Sequence, residues 1–415
     1  MITIDWLRLQ TLLGEQGKIW LALSGGVDSV VLLHLLVRDA PSELRDRVAA
    51  IHVHHGLSQN ADTWLEFCKT LCSNLEVDFC FERVTLEGKG SIEEQARKER
   101  YRAFDKVLRD GDVLLQAHHA NDQAETILFR LERGCGWRGI QGIPEERSLG
   151  VANIYRPLLK TPRVDIEEYA TRLQLSWVED ESNEDTRYRR NFLRHKVLAP
   201  WQDAQPNIAK HIAQSVDRIQ AEGRVIKRLL GETLERFVDQ NDGLQLNMLP
   251  EQERGFWLSS YLSDRGISIT QQQQMALVEM FYSHHQNQPE FLHRRHRIVR
   301  YKNVLHVLPK ALPVVEQNIA AGQWLIRAFD RVYCDQEVVI KPRPDNVLLH
   351  LKNGKTRPLK KWLQDKNIPN WWREQIPYIY VEDELVAIAD LWQAPYWQGN
   401  VKWEPNGKLL WPSQS

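Results

Sequence analysis

Residues Ser24-Gly25-Gly26-Val27-Asp28-Ser29 decide the fold of this chain, because this short run separates two apolar segments. The segment before it, residues 19–23, has the length and content of a buried strand, and residues 30–38 after it have the pattern of a helix with an apolar face. A strand, a glycine-rich turn and a helix in this order point backbone N–H groups and the positive end of a helix dipole into the turn. We therefore predict a phosphate-binding loop.

The residue types of the loop indicate how it holds a nucleotide. Gly25 and Gly26 have no Cβ and let the backbone approach an anion closely, while Ser24 and Ser29 add hydroxyl donors. The Gly-Lys-Ser/Thr ending of the common nucleotide-binding loop is missing, and Asp28 is present instead. A carboxylate beside a polyphosphate is repulsive unless a cation lies between them, so Asp28 implies Mg²⁺. The alternative is a tight turn in which Asp28 only caps the helix.

The composition limits the class of protein. At 415 residues and a formal net charge of −1, the chain is long enough for two or three domains, and its charge neither favours nor excludes a nucleic-acid partner. Its five cysteines include no Cys-x-x-Cys pair, which is typical of free thiols in a reducing compartment. The sequence has no signal-peptide core and no apolar run of membrane-spanning length, so we expect a cytoplasmic protein without a membrane partner.

Strand-like and helix-like segments alternate from residue 6 to about residue 200. After the first helix we predict strands at residues 48–56, 77–84 and 113–118 and helices at residues 62–75, 91–109 and 120–133, the second of these helices opened by a capping-box pattern at Ser91. This alternation predicts an α/β fold with a doubly wound parallel sheet, whose ligands bind at the carboxyl ends of the strands. The phosphate loop, residues 52–56 and residues 118–122 all fall at such ends.

A histidine-rich loop follows the second predicted strand and contains His52, His54 and His55. A metal site is one interpretation, but adjacent histidines diverge and no third ligand follows at a recognisable spacing. We favour a strand-end loop that lines the nucleotide base, with His52 and His54 as contacts.

Asp122 and Glu125 follow the fourth predicted strand within the string His118-His119-Ala120-Asn121-Asp122-Gln123-Ala124-Glu125-Thr126. The two carboxylates are three residues apart at a helix start and therefore share a face. Acidic residues at this position also suit the helix dipole, which is a purely structural interpretation. With a phosphate loop upstream, we predict that this face belongs to an active site.

Residues 134–139 match the pattern G-x-G-x-x-G, but they follow a predicted helix. A dinucleotide fingerprint must follow a strand and open a helix, so this match does not predict a dinucleotide site. Arg130, Arg133 and Arg138 surround the glycines, and we interpret the segment as a flexible basic loop that faces a polyanion.

Several of these strings resemble one superfamily. SGGVDS resembles the pyrophosphatase loop of the N-type ATP pyrophosphatases, which cleave ATP between the α and β phosphates and adenylate a substrate. Residues 118–126 resemble the His-His-x-x-Asp-Gln-x-Glu-Thr block of the tRNA(Ile)-lysidine synthetases and their thiolase relatives, and residues 133–139 resemble the glycine-rich loop of the lysidine family. Residues 93–101 resemble its Glu-x-x-Ala-Arg-x-x-Arg-Tyr block, which makes Arg97 and Arg100 candidates for the site.

Three segments concentrate basic residues. Residues 187–196 hold five Lys or Arg without an acid, which favours a phosphate-facing segment over a solvated helix face. Residues 293–297 form a second basic edge, and residues 341–373 hold nine Lys or Arg against two Asp. Asn183, Arg190-Asn191 and Arg194 resemble a family element, and residues 357–377 resemble the C-terminal domain of longer lysidine synthetases. The predicted tRNA contacts, including those of the glycine-rich loop, are Arg130, Arg133, Arg138, Arg187, Arg190, Asn191, Arg194, Arg294, Arg295, Arg357, Lys360 and Lys361.

Tryptophans lie among the basic residues of the third segment, at Trp362, Trp371 and Trp372. Basic residues interleaved with aromatics suit neutralisation of a nucleic-acid backbone together with stacking on bases or riboses. In the alternative interpretation the tryptophans are core residues and only the charges are exposed, and for Trp362 we expect the core.

The whole chain resembles the long, three-domain form of the lysidine synthetases. The fold class implied is α/β, a doubly wound parallel sheet of the adenine nucleotide α-hydrolase-like type with a helical middle domain and a small β-rich C-terminal domain. We predict a catalytic domain at residues 1–205, a mainly helical tRNA-binding domain at residues 206–312 and a β-rich tRNA-binding domain at residues 313–415.

The resemblance implies an activity. ATP adenylates the C2 oxygen of the wobble cytidine in the isoleucine tRNA with a CAU anticodon, and the ε-amine of free L-lysine then displaces AMP to give lysidine. By the same resemblance, Asp28 and Mg²⁺ hold the phosphates as pyrophosphate leaves, Arg97 and Arg100 offset charge at the α-phosphate, and Asp122 and Glu125 hold the lysine ammonium.

The lysine amine must lose a proton before it attacks. Only about one amine in 10³–10⁴ is neutral at pH 7, and a carboxylate partner stabilises the charged form further. Either one of the carboxylates or a histidine such as His119 must therefore accept the proton, and the sequence leaves this choice open.

Three other functions compete with this prediction. A tRNA 2-thiolation enzyme of the same superfamily would rely on paired cysteines, but Cys68 and Cys72 are spaced Cys-x-x-x-Cys in an apolar helix, and we interpret them as core. An NAD or GMP synthetase would leave the basic accessory domains unexplained. A tRNA-binding protein without activity would not need SGGVDS. The oligomeric state is open at this point and is compatible with a homodimer.

Overall fold

The structure, a computed structural model, describes residues 2–56, 58–85, 92–283, 289–310 and 316–407. The chain divides into two units, Met1–Ile226 and Lys227–Ser415. No helix within the described ranges is both long and apolar enough to span a membrane.

Six strands form the sheet of the first unit: β1 (Ile19–Ala22), β2 (Val48–His54), β3 (Asp78–Arg83), β4 (Val113–Leu115), β5 (Glu146–Leu149) and β6 (Ala152–Tyr155). Their order is β3-β2-β1-β4-β6-β5, with every pair parallel except β5 and β6. The four predicted strands are confirmed. The hairpin of β5 and β6 was not predicted, because β5 (Glu-Arg-Ser-Leu) is polar and lacks the apolar run that marks β1 and β4.

In the described part of the first unit, ten α-helices begin: α1 (Trp6–Leu12), α2 (Val27–Arg38), α3 (Ser42–Arg45), α4 (Ala61–Asn74), α5 (Ile92–Val107), α6 (Ala120–Glu132), α7 (Arg163–Arg172), α8 (Arg189–Phe192), α9 (Ala199–Ala204) and α10 (Ile208–Leu234). A π-helical turn, Leu193–Leu198, joins α8 to α9. The predicted helices at α2, α4, α5 and α6 are confirmed, while the capping box predicted at Ser91 lies outside the described residues.

The sheet packs on both faces, as expected for a doubly wound fold. Alternate residues of a strand point to opposite faces, and Leu21 of β1 packs with Leu33 of α2 in one core while Trp20 packs with Phe104 of α5 in the other. Complete burial of a leucine or phenylalanine side chain contributes roughly 1.5–3 kcal/mol, so both layers stabilise the sheet.

The strand order places two loops side by side. β1 pairs with β2 on one side and with β4 on the other. Strands β2 and β3 are therefore added on one side of β1, and β4 to β6 are added on the other side. In open α/β sheets, such a switch in strand order forms a crevice at the carboxyl ends of the strands. The phosphate loop follows β1 and the histidine pair His118 and His119 follows β4.

The second unit adds four helices and fourteen strands within the described residues. The helices that begin there are α11 (Arg254–Asp264), α12 (Gln271–Tyr282), α13 (Leu359–Asp365) and α14 (Asn370–Arg373). A four-stranded sheet, ordered β7-β10-β9-β8, is followed by a five-stranded, a three-stranded and a two-stranded sheet. The strands are β7 (Leu244–Gln245), β8 (Glu290–His293), β9 (His296–Tyr301), β10 (Val304–Pro309), β11 (Gln317–Ile319), β12 (Gln323–Ile326), β13 (Asp330–Cys334), β14 (Val338–Lys341), β15 (Leu348–His350), β16 (Thr356–Pro358), β17 (Tyr378–Val381), β18 (Glu384–Ile388), β19 (Trp392–Gln393) and β20 (Val401–Pro405).

These elements confirm a helical middle region and a β-rich C-terminal region. α11 and α12 pack around Leu258 and Phe281, and the β-rich region packs around Trp372 and Tyr378. Tyr301 of β9 belongs to the latter core and donates a hydrogen bond to the carbonyl of Asn367 at 2.5 Å. The domain boundaries at residues 205 and 312 stay a prediction.

The tryptophans of the basic segment are core residues. Trp362 is buried, as predicted, and Trp371 and Trp372 are buried with it. Trp372 meets Trp403 edge to face, with ring centroids 5.4 Å apart. The hypothesis that these three rings stack on bases or riboses is therefore wrong, because their faces are already covered by the core.

Candidate active site

The predicted phosphate loop joins β1 to α2. Gly26 precedes α2 in an extended conformation, and no side chain of the described residues caps the helix there. The Ser29 hydroxyl donates to the Gly26 carbonyl at 2.9 Å, and Ser24 Oγ lies 3.1 Å from Ser29 Oγ. The first N–H groups of α2 thus remain available to an anion in a loop that the two serines hold in shape.

Gly25 is required by the shape of the loop. Its φ of +91° lies in the region that favours glycine, and a Cβ there would lie 2.8 Å from Val178 Cγ2 and 3.2 Å from Cys68 Sγ. The Gly25 carbonyl also accepts a hydrogen bond from Val178 N at 3.0 Å. The loop is therefore held in place by contacts with Cys68 of α4 and with Val178, which follows α7.

Asp28, in the first turn of α2, has an unsatisfied carboxylate. Among the described residues, no group donates a hydrogen bond to its buried Oδ1. Burial raises the pKa of Asp28 and nearby Asp122 raises it further, while His119 opposes the shift. An orphaned carboxylate oxygen fits a hard cation. The described residues contain no cluster of three or more His, Cys, Asp or Glu that could hold a metal ion by themselves. A cation bound to Asp28 would therefore take further oxygen ligands from the phosphates of a nucleotide.

His119 lies between two carboxylates. Its Nε2 is 3.5 Å from Asp28 Oδ1 and 3.5 Å from Asp122 Oδ2. Its Nδ1 accepts a hydrogen bond from the backbone N–H of Asp122 at 3.4 Å. The ring of His119 therefore lies between the phosphate loop and the first turn of α6.

Asp122 and Glu125 lie on one face of α6, as predicted. Asp122 Oδ2 accepts from the backbone N–H of His119 at 3.0 Å, which completes a capping box. The structural interpretation of Asp122, an acid that caps a helix, is therefore confirmed, while its part in an active site stays a prediction. Burial alone would raise the pKa of Asp122, but the charges of His119 and Arg190 outweigh it and lower the pKa. Asp122 is consequently an anion at neutral pH.

Arg190 and Arg194 reach the same two carboxylates. Arg190 donates from Nε to Glu125 Oε2 at 2.9 Å and from Nη2 to Asp122 Oδ1 at 3.0 Å, and Arg194 donates from Nε to Glu125 Oε1 at 2.6 Å. The Glu125 side chain is only 1% exposed. Glu125 is thus enclosed by two guanidinium groups, and Arg194 is presented by the π-helical turn, a feature that often marks functional sites.

Sequence reasoning placed these two arginines on the tRNA surface and missed their role in the site. A usable signal existed. Arg190 and Arg194 are four apart on a helix, and Asp122 and Glu125 are three apart on another, so each pair shares a face and the two faces are complementary in charge.

The other predicted tRNA contacts near the site also have internal partners. Arg187 pairs with Asp185 at 2.7 Å, and Asn191 Nδ2 donates to the Asp185 carbonyl. Arg189, which was not among the predicted contacts, donates to Glu132 at 3.0 Å. Four of the five basic residues of segment 187–196 therefore contact carboxylates from elsewhere in the chain. Their contact with tRNA stays a prediction.

The glycine-rich segment follows α6, as predicted, and one of its three arginines is fixed. Arg130 Nη1 donates to the carbonyls of Gly139 and Gly142, each at 2.8 Å. The guanidinium group of Arg133 lies over the Phe129 ring, and that of Arg138 lies over the Trp137 ring.

The predicted base-lining histidines, His52 and His54, are buried within the last three residues of β2 and not in a loop after it, because both pair in register with β3. His52 Nδ1 lies 2.9 Å from the carbonyl of Leu23, the residue before the phosphate loop, and burial lowers the pKa of His52. His54 Nε2 lies 3.3 Å from Asp62 Oδ1. Both rings are thus held by neighbours, and neither belongs to a metal-ligand cluster among the described residues.

The predicted catalytic arginines of α5, Arg97 and Arg100, lie beside Tyr101 and His55. Arg97 lies over the ring of Tyr101, and Arg100 is close enough to His55 to lower its pKa, after burial, to about 4. Sequence reasoning missed Arg156, which is 3% exposed and donates to His118 Nδ1 at 3.2 Å and to Gln116 Oε1 at 2.8 Å. A single arginine between a strand and a proline gives no sequence signal.

The predicted tRNA contacts of the second unit lie on its surface or near it. Arg294 and Arg295 are exposed at the two-residue turn between β8 and β9. Lys360 and Lys361 are exposed at the start of α13, while Arg357 donates to Asp365 at 2.8 Å.

Comparison with known proteins decides between the remaining functions. Residues 5–200 match the PP-loop domain family, and residues 338–411 match the TilS substrate C-terminal domain. The tRNA(Ile)-lysidine synthase of Vibrio parahaemolyticus is 32% identical over 92% of this chain and 93% of its own length, and that of Coxiella burnetii is 32% identical over 92% and 91%. The chain belongs to the tRNA(Ile)-lysidine synthase family.

Membership in the tRNA(Ile)-lysidine synthase family makes the chain an ATP-using PP-loop ligase. A U34-tRNA thiolase from Methanococcus maripaludis, solved with its 4Fe–4S cluster, resembles 52% of this chain and 77% of that one at 15% identity and a TM-score of 0.40. Cys68 and Cys72, in contrast to reactive thiols, are buried, and burial raises the pKa of each to about 12. They are core residues, as predicted.

Proposed function

We propose that this protein joins lysine to C2 of the wobble cytidine in the isoleucine tRNA with a CAU anticodon, at the expense of ATP. One observation carries the proposal: His119 Nε2 lies 3.5 Å from Asp28, at the phosphate loop, and 3.5 Å from Asp122, on the carboxylate face. The proposed nucleotide site and the proposed ammonium site are therefore adjacent. Adenylation of a base by ATP, followed by displacement of AMP from the same base by lysine, requires this arrangement.

The first step forms an adenylated cytidine. The C2 oxygen of the base attacks the α-phosphorus of ATP, and the bond from this phosphorus to the bridging oxygen breaks as pyrophosphate leaves. The loop of Ser24 to Ser29 binds the phosphates through its N–H groups and hydroxyls. Asp28 would hold Mg²⁺, which neutralises charge on the leaving pyrophosphate. Arg97 and Arg100 offset charge that develops at the α-phosphate.

The second step forms lysidine. The lysine nitrogen attacks C2, and the bond from C2 to the oxygen breaks as AMP leaves with that oxygen. Asp122 attracts the lysine ammonium, since it is an anion with partial access to solvent. Glu125 acts through Arg190 and Arg194, which it fixes beside Asp122.

The proton that the ammonium must lose goes to an acceptor at this site, which is either one of the carboxylates or His119, since His119 lies 3.5 Å from both Asp28 and Asp122. We propose that tRNA is held by the exposed basic residues of both units, and that the protein works in the cytoplasm with Mg²⁺, ATP and free lysine.

One experiment tests the proposed function. Purified protein is mixed with ATP, radiolabelled lysine and total tRNA, and the labelled tRNA is isolated and identified by sequencing. We expect label only in the isoleucine tRNA with a CAU anticodon, dependent on ATP and abolished by Asp28→Ala. Label in other tRNAs, or modification that needs a sulfur donor and no lysine, would contradict the proposal.

A further inference from the structure

Three arginines lie near Tyr101: two are placed over its ring, and the third is linked to its hydroxyl through Gln116. The guanidinium carbon of Arg147 lies 4.6 Å from the ring centroid and that of Arg97 lies 5.2 Å from it. Gln116 Nε2 donates to the Tyr101 hydroxyl at 3.4 Å, and Arg156 Nη2 donates to Gln116 Oε1 at 2.8 Å. α5, β5 and the ends of β4 and β6 thus bring these groups together, and we call them the Tyr101 cluster.

Among the residues whose side chains the structure describes, a set that leaves out Ile92 and Glu93, no carboxylate pairs with the Tyr101 cluster. Arg190 and Arg194 are neutralised by Asp122 and Glu125, whereas none of the three arginines of the cluster lies within 4.0 Å of a described carboxylate. Arg156 is 3% exposed, and the buried Nε of Arg147 has no hydrogen-bond partner among the described residues. Three like charges held together without an anion repel one another, so their convergence suits a ligand that supplies the negative charge.

The potential at the phenol is positive. Burial by itself would raise the pKa of Tyr101, but the hydrogen bond from Gln116 and the charges of Arg97, Arg147 and Arg156 together lower it. A hydroxyl and several guanidinium N–H groups in one place match the acceptor oxygens of a phosphate, which arginine binds through paired hydrogen bonds.

We propose that the Tyr101 cluster binds a phosphate group at a position separate from the loop of Ser24 to Ser29. The two positions differ in the fold, because the loop is built on α2 and the cluster is built on α5, which pack against opposite faces of the sheet. The inference rests on the proposed function for its two sources of ligand, which share the same chemistry: a phosphodiester of the tRNA beside the modified cytidine, or the departing pyrophosphate.

Arg147 is the residue that tests the proposal. Arg156 has three partners, His118, Gln116 and the Pro144 carbonyl, and a structural role would explain it. Arg147 lies on the edge strand β5, is partly exposed and has an unsatisfied Nε. The variant is Arg147→Gln, and the matched control is Arg102→Gln, which removes an exposed arginine of α5 that pairs with Glu99 at 2.6 Å.

Two equilibrium measurements on the full chain distinguish the sources. Filter binding of unmodified tRNA across a salt series, without ATP or lysine, reports a contact with the RNA: Arg147→Gln should weaken binding about tenfold and lower the slope of log affinity against log salt by roughly 0.7–0.9. Titration calorimetry with inorganic pyrophosphate reports the other source. If the cluster binds pyrophosphate, Arg147→Gln should raise the Kd for pyrophosphate about tenfold and leave tRNA binding unchanged. Arg102→Gln should alter neither.

If Arg147→Gln binds both tRNA and pyrophosphate like the control, the proposal is overturned and the cluster is structural. Arg147→Lys keeps the charge without the paired donors and should show an intermediate effect, and it replaces Arg147→Gln if that variant fails to fold. Neither measurement needs lysine transfer. A failure of the proposed function, seen as absence of labelled tRNA, is therefore distinct from a failure of this inference.

Discussion

Arg194 donates two hydrogen bonds to the carboxylate of Glu125, from Nε to Oε1 at 2.6 Å and from Nη2 to Oε2 at 3.1 Å. The two residues are 69 positions apart, and Arg190 completes the arrangement by binding both Glu125 and Asp122. Three of the five basic residues in segment 187–196 (Arg189, Arg190 and Arg194) thus find their counter-charges on α6. These hydrogen bonds fix the positions of the Asp122 and Glu125 carboxylates on their shared face of α6.

The first prediction concerns Glu125. Glu125→Gln should leave Arg190 and Arg194 facing a neutral side chain and should destabilise the first unit by about 2–3 kcal/mol, because hydrogen bonds to a buried charge are removed and two cations approach each other. Denaturant unfolding measures the change. The matched control is Glu132→Gln, whose carboxylate is 35% exposed and pairs with Arg189 at the surface. The control should destabilise the unit much less, because its ion pair is at the surface, and equal losses of stability for the two variants would contradict the burial argument.

The second prediction concerns the stability of Asp28. Folding raises its pKa above the ordinary value of 3.8, so the ionised form destabilises the fold. The stability that the protonated form provides is present below pH 3.8 and is lost as the pH rises through the raised value. Asp28→Asn should therefore raise the Tm of the ligand-free protein at pH 7, by roughly 2–4 °C for each kcal/mol gained, and the gain should vanish at low pH. Thermal unfolding over a pH series measures this.

The same variant should lose pyrophosphate release while it binds tRNA like the wild type, because Asp28 is proposed to hold Mg²⁺ and not to contact RNA. Asp165→Asn is the control, since Asp165 is an exposed acid in the first turn of α7. It should be neutral or slightly destabilising, because an acid at that position favours the helix dipole. Wild-type pyrophosphate release by Asp28→Asn would disprove the assignment.

The third prediction concerns Lys360 and Lys361, which are exposed on α13 with no carboxylate of the described residues within salt-bridge distance. Changing both to Ala should weaken tRNA binding and reduce its salt dependence by roughly 0.7–0.9 in slope for each phosphate that the protein no longer neutralises. The rate at saturating tRNA should be nearly unchanged. Filter binding across a salt series decides. Arg331→Ala, which removes an arginine paired with Glu404 in the same unit, should behave like the wild type, and an unchanged slope in the double variant excludes both lysines from the tRNA-binding surface.

The fourth prediction concerns Arg294, which has a φ of +51° in the turn between β8 and β9. A bulky residue in this region is strained by about 1 kcal/mol, whereas Asn adopts it readily. Arg294→Asn should therefore leave stability unchanged or slightly increased while it lowers tRNA affinity several-fold. Thermal unfolding and filter binding together measure the two effects. Arg297→Gln is the control, because Arg297 pairs with Glu290 at 2.8 Å, and equal tRNA affinities for the two variants would show that Arg294 does not bind the RNA.

Local patterns were sufficient to predict most of the first unit. The strand, glycine turn and helix around residues 24–29 depend on neighbouring residues and on apolar periodicity, so they could be predicted without knowledge of the tertiary structure. The same holds for the shared face of Asp122 and Glu125, which follows from helix geometry alone. Trp371 and Trp372 could not be placed, because an aromatic beside a lysine has the same local pattern whether its ring is exposed or buried.

The sequence by itself determined the alternation of strands and helices, the glycine turn before α2 and the shared face of the charged residues Asp122 and Glu125, since each follows from the spacing of neighbouring residues. Only the tertiary structure decided how those charges are neutralised. Arg194 binds Glu125, while Arg147 and Arg156 converge on Tyr101 without an acid among the described residues. The physical reason is that charge pairing depends on distance in space, and strand order and helix packing bring residues together that the sequence separates by tens of positions.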